Sequence, residues 1–180
     1  MNDSSNYTEY AVLQKAEGKY LVRRVLLIVL YAAVALLYFA FFTYGPIKAV
    51  PMICFLPLII WIMVFFTWRY VSVEHEYTIA SGTITFSDVY GGRSRKKKLE
   101  CKIKDMRIIA PMTDEYKREY ANAAAADFRG SVSSPDSYFF IYRKAEGKES
   151  AVFFEATAKT LKIMRFYNPS ATVMSTALRY

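Results

Sequence analysis

The sequence is poor in the residues on which most metal and redox sites depend. Its 180 residues contain one histidine and two cysteines, and the two cysteines, Cys54 and Cys101, are far apart. A disulfide framework needs paired cysteines and a zinc site needs four nitrogen, sulfur or oxygen ligands. Gly91 and Gly92 do not complete a glycine-rich phosphate-binding motif. We therefore expect no metal and no cofactor.

The scarcity of histidine also argues against an enzyme. His75 lies in an alternating segment whose apolar side is formed by Val71, Val73, Tyr77 and Ile79. In such a setting a satisfied core histidine is expected, whereas a catalytic base must be presented in a cleft. We predict a protein without catalytic residues.

Charge is absent from two long apolar runs. Residues 25–44 hold 20 uncharged positions, about 30 Å of helix, which matches a bilayer core. Residues 50–68 are also uncharged and are followed by Arg69 and Tyr70, as at a headgroup boundary. A signal peptide is the alternative for the first run, but the run exceeds a normal signal core. We predict two spans in an antiparallel hairpin.

Neither run contains an ionisable side chain, so a channel or pump made of these two helices alone is not predicted. The hairpin is interpreted as an anchor. Pro57 has no N–H group and would free the carbonyl of Ile53, which predicts a kink. Ala33 and Ala40 share one face of the first helix and would allow another helix to approach closely.

Lys and Arg residues predict the orientation of the hairpin. Lys15, Lys19, Arg23 and Arg24 precede the first run, whereas the connection between the runs holds only Lys48. Because positive residues favour the cytoplasmic side, we expect a multi-pass protein of the cell (cytoplasmic) membrane with both termini in the cytoplasm.

Three segments follow from these patterns. Residues 1–24 form a cytoplasmic N-terminal segment, for which an interfacial helix is considered. Residues 25–68 form the transmembrane hairpin, with spans at 25–44 and 50–68. Residues 69–180 form a cytoplasmic domain.

The C-terminal segment has the period-two pattern of strands. Six strands are predicted, near 71–79, 84–86, 98–104, 107–111, 138–143 and 151–155. Alanine-rich residues 114–126 predict a helix, and a closing helix is predicted from a cap at Thr157 to Asn168. Residues 170–180 fit either a ragged tail or a short added element.

The order of YTIASGTITF, YGGRSRKKKLECKIKDMRIIAP, paired aromatic strands and VFFEATAKTLKIMRFYNP resembles bacterial pleckstrin-homology-like (PH-like) domains attached to membrane hairpins. Over residues 10–169 the layout is similar to an uncharacterised family of two-span membrane proteins from Gram-positive bacteria. The resemblance implies an α+β membrane protein, with a PH-like antiparallel sheet domain and a C-terminal helix after the hairpin. It implies no established activity. The six predicted strands are one fewer than the seven of a PH fold, which predicts an incomplete barrel.

Positive charge is concentrated in one run. Arg93, Arg95, Lys96, Lys97 and Lys98 fill five of six consecutive positions. Near the cytoplasmic leaflet, anionic lipids attract each such side chain by about 1 kcal/mol. We therefore assign these five residues, in the hairpin between the second and third predicted strands, as candidate contacts to anionic lipid headgroups.

A structural interpretation competes with lipid contact. The three lysines can simply begin the third predicted strand, with solvated side chains that protect a sheet edge from aggregation. Nucleic acid is not an expected partner, because no helix or aromatic platform that reads bases accompanies the run.

Together these patterns predict a non-enzymatic, membrane-anchored interaction or scaffold module. Its expected partners are anionic membrane lipids and an unidentified membrane or cytoplasmic protein. One surface for such a protein is offered by the aromatic pairs of two strands, Phe139, Phe140, Phe153 and Phe154. The alternative is an accessory subunit of a larger membrane transporter or envelope complex, in which the helices make the contact.

Overall fold

A computed structural model describes residues 6–45, 49–113, 116, 124–143 and 149–174. The chain forms two compact units. One comprises Lys15–Val73, and the other joins Met1–Gln14 to Glu74–Tyr180. The N-terminal residues therefore belong to the same unit as the C-terminal segment.

The unit of residues 15–73 is helical. It contains α1 (Gly18–Tyr44), a 3₁₀ turn (Val50–Phe55), α2 (Leu56–Thr67) and a second 3₁₀ turn (Trp68–Tyr70). Two helical stretches, Gly18–Tyr44 and Pro51–Tyr70, are long and apolar enough to cross a membrane, and their apolar windows are not buried inside the protein. Exposed apolar surface on this scale is unusual for a soluble protein and suggests a membrane protein.

Polar contacts show that α1 and α2 are antiparallel. The Arg24 guanidinium, near the start of α1, donates to the Val71 carbonyl at 3.3 Å. Further along, the hydroxyls of Tyr31 and Thr67 share a hydrogen bond. Satisfying polar groups inside the hairpin suits an apolar solvent, where an unpaired group is costly.

At Pro57, where a kink is predicted, the structure shows a change of helix type. The chain passes from the 3₁₀ turn into α2 at Leu56, whose N–H donates to the Ile53 carbonyl. Pro57 has no N–H to donate to the Ile53 carbonyl, and Leu56, one residue earlier in the chain, donates to it instead.

Two four-stranded sheets form the second unit. The first sheet has the order β1-β2-β3-β4, from Thr8–Leu13, Val73–Ala80, Thr83–Tyr90 and Ser94–Lys102. The second sheet has the order β5-β7-β8-β6, in which β5 is Met106–Pro111, β6 is Ala124–Asp127, β7 is Ser137–Arg143 and β8 is Glu149–Glu155. A single C-terminal helix, α3 (Ala158–Tyr167), follows β8. The predicted α+β class with a C-terminal helix is confirmed.

The N-terminal segment corrects one expectation, because residues 8–13 form a strand and not an interfacial helix. β1 pairs antiparallel with β2, with Thr8 opposite Ile79 and Leu13 opposite Glu74. The helical hairpin is therefore inserted between the first two strands of a sheet. Among the described residues, β1 and β6 are the two strands that the six predicted strands lack, and β1 to β5, β7 and β8 make the seven of a PH fold.

The helix predicted at 114–126 lies mostly outside the described residues, but its C-terminal end was wrong. Ala124–Asp127 form β6, which runs parallel to β8 with Ala126 opposite Val152. Alanine's helix propensity is a weak preference, and pairing with a neighbouring strand overrides it.

Apolar side chains cover both faces of the second sheet. Phe140 and Phe154 point into the main core between the sheets, together with Leu161 and Met164 of α3. On the opposite face, Phe139 lies in a separate cluster. The members of that cluster are Ala110, Phe139, Ile141 and Ala151, with Tyr116 and Phe153 packed against them. Both residues of each aromatic pair are therefore covered, wholly or in part, within the chain.

The end of the chain closes the edge of β5. The Asn168 side-chain amide, just after α3, donates to the carbonyls of Ile103 at 3.0 Å and Met106 at 2.8 Å. Beyond it, the Ile109 N–H donates to the Ala171 carbonyl and the Val173 N–H donates to the Ile109 carbonyl, both at 2.8 Å. Within residues 170–180, residues 171–173 are thus a short added element, whereas 175–180 lie outside the described residues.

The loop after β6 packs against β1. Glu155, at the end of β8, accepts a hydrogen bond from the Gly130 N–H at 2.9 Å. A Cβ atom on Gly130 would lie 2.5 Å from a Val12 methyl and 2.8 Å from the Leu13 carbonyl oxygen. The N-terminal strand therefore fits against a loop that has no room for a larger residue.

Candidate basic edge of the first sheet

Four of the five basic candidates lie on a strand and not in a loop. Only Arg93 belongs to the turn after β3, because Tyr90 already pairs with Ser94 and the ladder continues through Asp88 and Lys96. The expectation of a basic loop is thereby corrected, and the lysines begin a strand, as the structural interpretation held. β4 is the outer strand of its sheet, and every residue from Ser94 to Lys98 is exposed.

Arg95 reaches across the sheet to two other strands. Its guanidinium lies 2.7 Å from a carboxylate oxygen of Glu76 on β2 and 3.8 Å from one of Glu9 on β1. The Tyr7 hydroxyl donates to Glu9 at 2.8 Å. The side chain of Arg95 thus passes over β3 and ties β4 to the far half of the sheet.

Breaking the ion pair between Arg95 and Glu76 would destabilise the folded protein. Burial raises the pKa of Glu76, and the nearby Arg95 guanidinium opposes that rise. A buried carboxylate without its counter-ion is strongly destabilising. Arg95 is therefore engaged with the protein itself before any outside ligand.

Lys98 belongs to a second internal network. Its ammonium lies 3.1 Å from one carboxylate oxygen of Asp88, and His75 Nδ1 lies 2.8 Å from the other. Burial alone would raise the pKa of Asp88, but the hydrogen bonds from His75 and Lys98 outweigh it and hold the pKa below its usual range. The same carboxylate raises the pKa of Lys98.

His75 is a satisfied core residue. Its second ring nitrogen contacts the Gln14 side chain, and the ring meets Phe128 edge-on at 5.7 Å between centroids. Both nitrogens therefore have partners, which is the arrangement expected for a buried structural histidine.

Two of the basic residues keep their charge most available. Lys97 pairs with Glu100, but the Lys97 side chain is 55% exposed and that of Glu100 is 50% exposed. Ion pairs this exposed contribute little to stability. Lys96 forms no ion pair with any described residue. Because Glu9, Glu76, Asp88 and Glu100 face the run, its net field is weaker than five free charges would give.

A separate cleft of about 450 Å³ opens near the other end of β4. Its lining residues are Thr83, Glu100, Cys101, Lys102, Asp105, Tyr142 and Arg143. Burial raises the pKa of the Cys101 thiol to about 11, so the thiol stays protonated near neutral pH and is a poor nucleophile. Within the described ranges, no group of three or more His, Cys, Asp and Glu residues could hold a metal ion.

A four-stranded sheet and a second sheet closed by a C-terminal helix define an α+β protein of the PH-like class. A family model described as a bacterial PH-like domain (DUF6106) matches residues 2–174, and the chain belongs to this family. The match includes β1 and the helical hairpin as well as the sheets. No curated protein and no solved structure matches the chain. Membership in a bacterial PH-like family suggests an interaction module.

Proposed function

We propose that the chain is a non-enzymatic, membrane-anchored interaction or scaffold module with its PH-like domain and both termini in the cytoplasm. The pairing of β1 with β2 is the observation that carries this proposal. These strands lie on opposite sides of the hairpin in the sequence, so they pair only if both ends of the hairpin are on the same side of the membrane. Two spans satisfy that condition.

Charge at the open end of the hairpin supports the cytoplasmic side. Arg23 lies over the ring of Tyr20 at 5.7 Å and Arg69 over that of Tyr70 at 4.9 Å. Cationic and aromatic side chains of this kind favour the headgroup region, and their excess favours the cytoplasm.

Cysteine labelling in intact cells tests the orientation. Cys54 is replaced by Ala, and one cysteine is then added either as Tyr44→Cys at the end of α1 or as Val132→Cys on the domain; both positions are well exposed, 80% and 71%. We expect a membrane-impermeant maleimide to label only the first variant until the cells are lysed. Labelling of Val132→Cys in intact cells would overturn the proposal, and the Cys54→Ala parent measures background from Cys101.

We further propose that the basic residues of β4 and its turn contact anionic headgroups. With Lys96 and Lys97 the most available, attraction of about 1 kcal/mol each gives about 2 kcal/mol, roughly a 30-fold preference for the membrane-bound position. This is smaller than five unopposed charges would give, because Glu76 and Asp88 hold Arg95 and Lys98.

A fluorophore on Ser94→Cys in the full chain, placed in nanodiscs, tests the lipid contact. We expect less quenching by an aqueous quencher in anionic than in neutral discs, and we expect salt to remove the difference. Lys96→Ala with Lys97→Ala should also remove it. The matched control is Lys159→Ala with Lys162→Ala, two exposed lysines of α3. Equal quenching in both kinds of disc refutes the contact.

The accessory-subunit alternative rests on the outer face of α1. Ala33 and Ala40 are exposed, on the side of α1 away from Tyr31 and its bond to α2. Replacing both helices by an unrelated hairpin separates the two functions. A scaffold keeps the partners found by in-membrane crosslinking, whereas an accessory subunit loses them.

A further inference from the structure

The outer edge of β4 has no strand beside it among the described residues. β4 is the last strand of the first sheet and pairs with β3 alone. The outer edge of β5, in contrast, is paired with residues 171–173. An unpaired edge presents a row of N–H and C=O groups that can accept another extended segment.

The charges on β4 decide which segment fits. An antiparallel pair of two β4 strands would place Arg95, Lys96, Lys97 and Lys98 opposite one another, and like charges directly opposite are destabilising. A second copy of this chain is therefore disfavoured. Lys96 and Lys97 are consecutive in β4 and point to opposite faces of the sheet. An extended segment that carries Asp or Glu at consecutive positions would bring opposite charges to both lysines.

We infer that the edge of β4 binds an extended acidic segment of a partner protein, which adds one strand to the first sheet. The inference deepens the proposed function and rests on it, because it names the surface and the chemistry of an interaction module. Backbone hydrogen bonds along β4 supply affinity, and cationic side chains select the acidic partner.

The internal ion pairs separate the basic residues of β4 into those that hold the strand in the sheet and those that are available to a partner. Arg95 and Lys98 are held by Glu76 and Asp88, so they are positioning residues that fix β4 to the sheet. Lys96 has no internal counter-ion among the described residues, and the exposed pair of Lys97 with Glu100 is easily exchanged. Lys96 and Lys97 therefore meet the partner's carboxylates, and the bound segment takes the place of anionic headgroups at these two lysines.

Peptide binding to the full chain in nanodiscs of neutral lipid tests the inference. The probe is a fluorescent peptide of about ten residues with consecutive glutamates between flanking valines, long enough to pair with the exposed half of β4. We expect binding by fluorescence anisotropy and slower hydrogen exchange at the amides of residues 94–98. The same peptide N-methylated along both edges keeps its charge but cannot form a ladder, and it should bind at least about tenfold more weakly. Equal binding of the two peptides overturns strand addition.

Charge reversal tests the side chains. Lys96→Glu with Lys97→Glu should weaken binding of the unmodified peptide by about tenfold or more. Lys159→Glu with Lys162→Glu makes the same change of charge on α3 and should leave binding of the peptide unchanged. Equal loss in both variants overturns the assignment to β4. An acidic peptide that fails to bind, while Ser94→Cys is still shielded in anionic discs, would identify lipid as the occupant and overturn the inference. The proposed function fails separately, through the labelling of Val132→Cys.

Discussion

The second sheet is apolar on both faces and closed at the edge of β5. The first sheet is apolar on one face, and no described residue pairs with the outer edge of β4. Phe139 and Ile141 are almost fully buried on the outer face of the second sheet. On the outer face of the first sheet, Arg95 instead meets Glu76 and Glu9. Burying one Phe side chain contributes about 1.5–3 kcal/mol, whereas an exposed ion pair such as that of Lys97 with Glu100 contributes about 0–1 kcal/mol. The second sheet therefore contributes more apolar burial to the stability of the domain, and the first leaves charged side chains exposed.

Removing an aromatic side chain from the outer face of the second sheet should have the largest effect. Phe139→Ala should lower the free energy of unfolding by about 3–5 kcal/mol, because a cavity replaces a ring in contact with Tyr116 and Phe153. On the outer face of the first sheet, Lys97→Ala should change it by no more than about 0.5 kcal/mol. Denaturation in detergent compares the two variants, and similar losses would erase the contrast between the faces.

Crowding the loop beneath β1 tests how the first sheet is completed. Gly130→Ala should cost about 3 kcal/mol, because the added methyl meets Val12 and the Leu13 carbonyl. Hydrogen exchange should accelerate in β1 more than in β7. Val132→Ala, in the same loop but exposed, is the control and should leave exchange in β1 unchanged. Normal protection of β1 in Gly130→Ala would contradict the role of the loop.

Opening the edge of the second sheet should have a smaller effect. Asn168→Ala leaves the carbonyls of Ile103 and Met106 without their donor and should cost about 2 kcal/mol. Faster exchange of the Ile109 and Val173 amides would report the loosened end of the chain. Lys162→Ala, at an exposed site of α3, is the control, and an equal cost in both variants would argue against an edge closed by Asn168.

The smallest effect concerns pH and the network behind β4. Because His75 and Lys98 hold the pKa of Asp88 below its usual range, its charged form stabilises the folded state. That contribution is present above the unfolded pKa, about 3.9, and is lost as the pH falls through the lower folded pKa. The stability advantage over Asp88→Asn should therefore shrink between about pH 5 and pH 2. A constant difference across that range would contradict the network.

Sequence reasoning located the strands that pair with near neighbours. β2, β3 and β4 follow one another with short turns, and β7 and β8 are close in sequence. The alternation of apolar and polar residues, together with the turn residues, is therefore sufficient to predict these strands. β1 was missed because its partner lies about sixty residues later, beyond two apolar helices, and a six-residue strand carries little signal of its own. At Ala124–Asp127 local propensity pointed to a helix and the sheet decided otherwise.

The charge of the basic run was harder to predict than its existence. Asp88 and Glu100 are near it in the sequence, whereas Glu9 and Glu76 are brought to it by two other strands. The number of positive side chains is visible in the sequence, but their counter-ions depend on pairings between distant segments. The placement of the basic run in a loop was wrong for a related reason. Charged side chains occur on an edge strand as readily as in a loop, so they do not distinguish the two.

The insertion of the hairpin between β1 and β2 also sets an order for biosynthesis. The ribosome releases the first strand before either helix and its partner only after both, about sixty residues later. Until the second helix has been delivered, the newborn domain lacks a neighbour for its first strand. Under the proposed topology, the sheet is completed only after the chain has crossed the bilayer and returned.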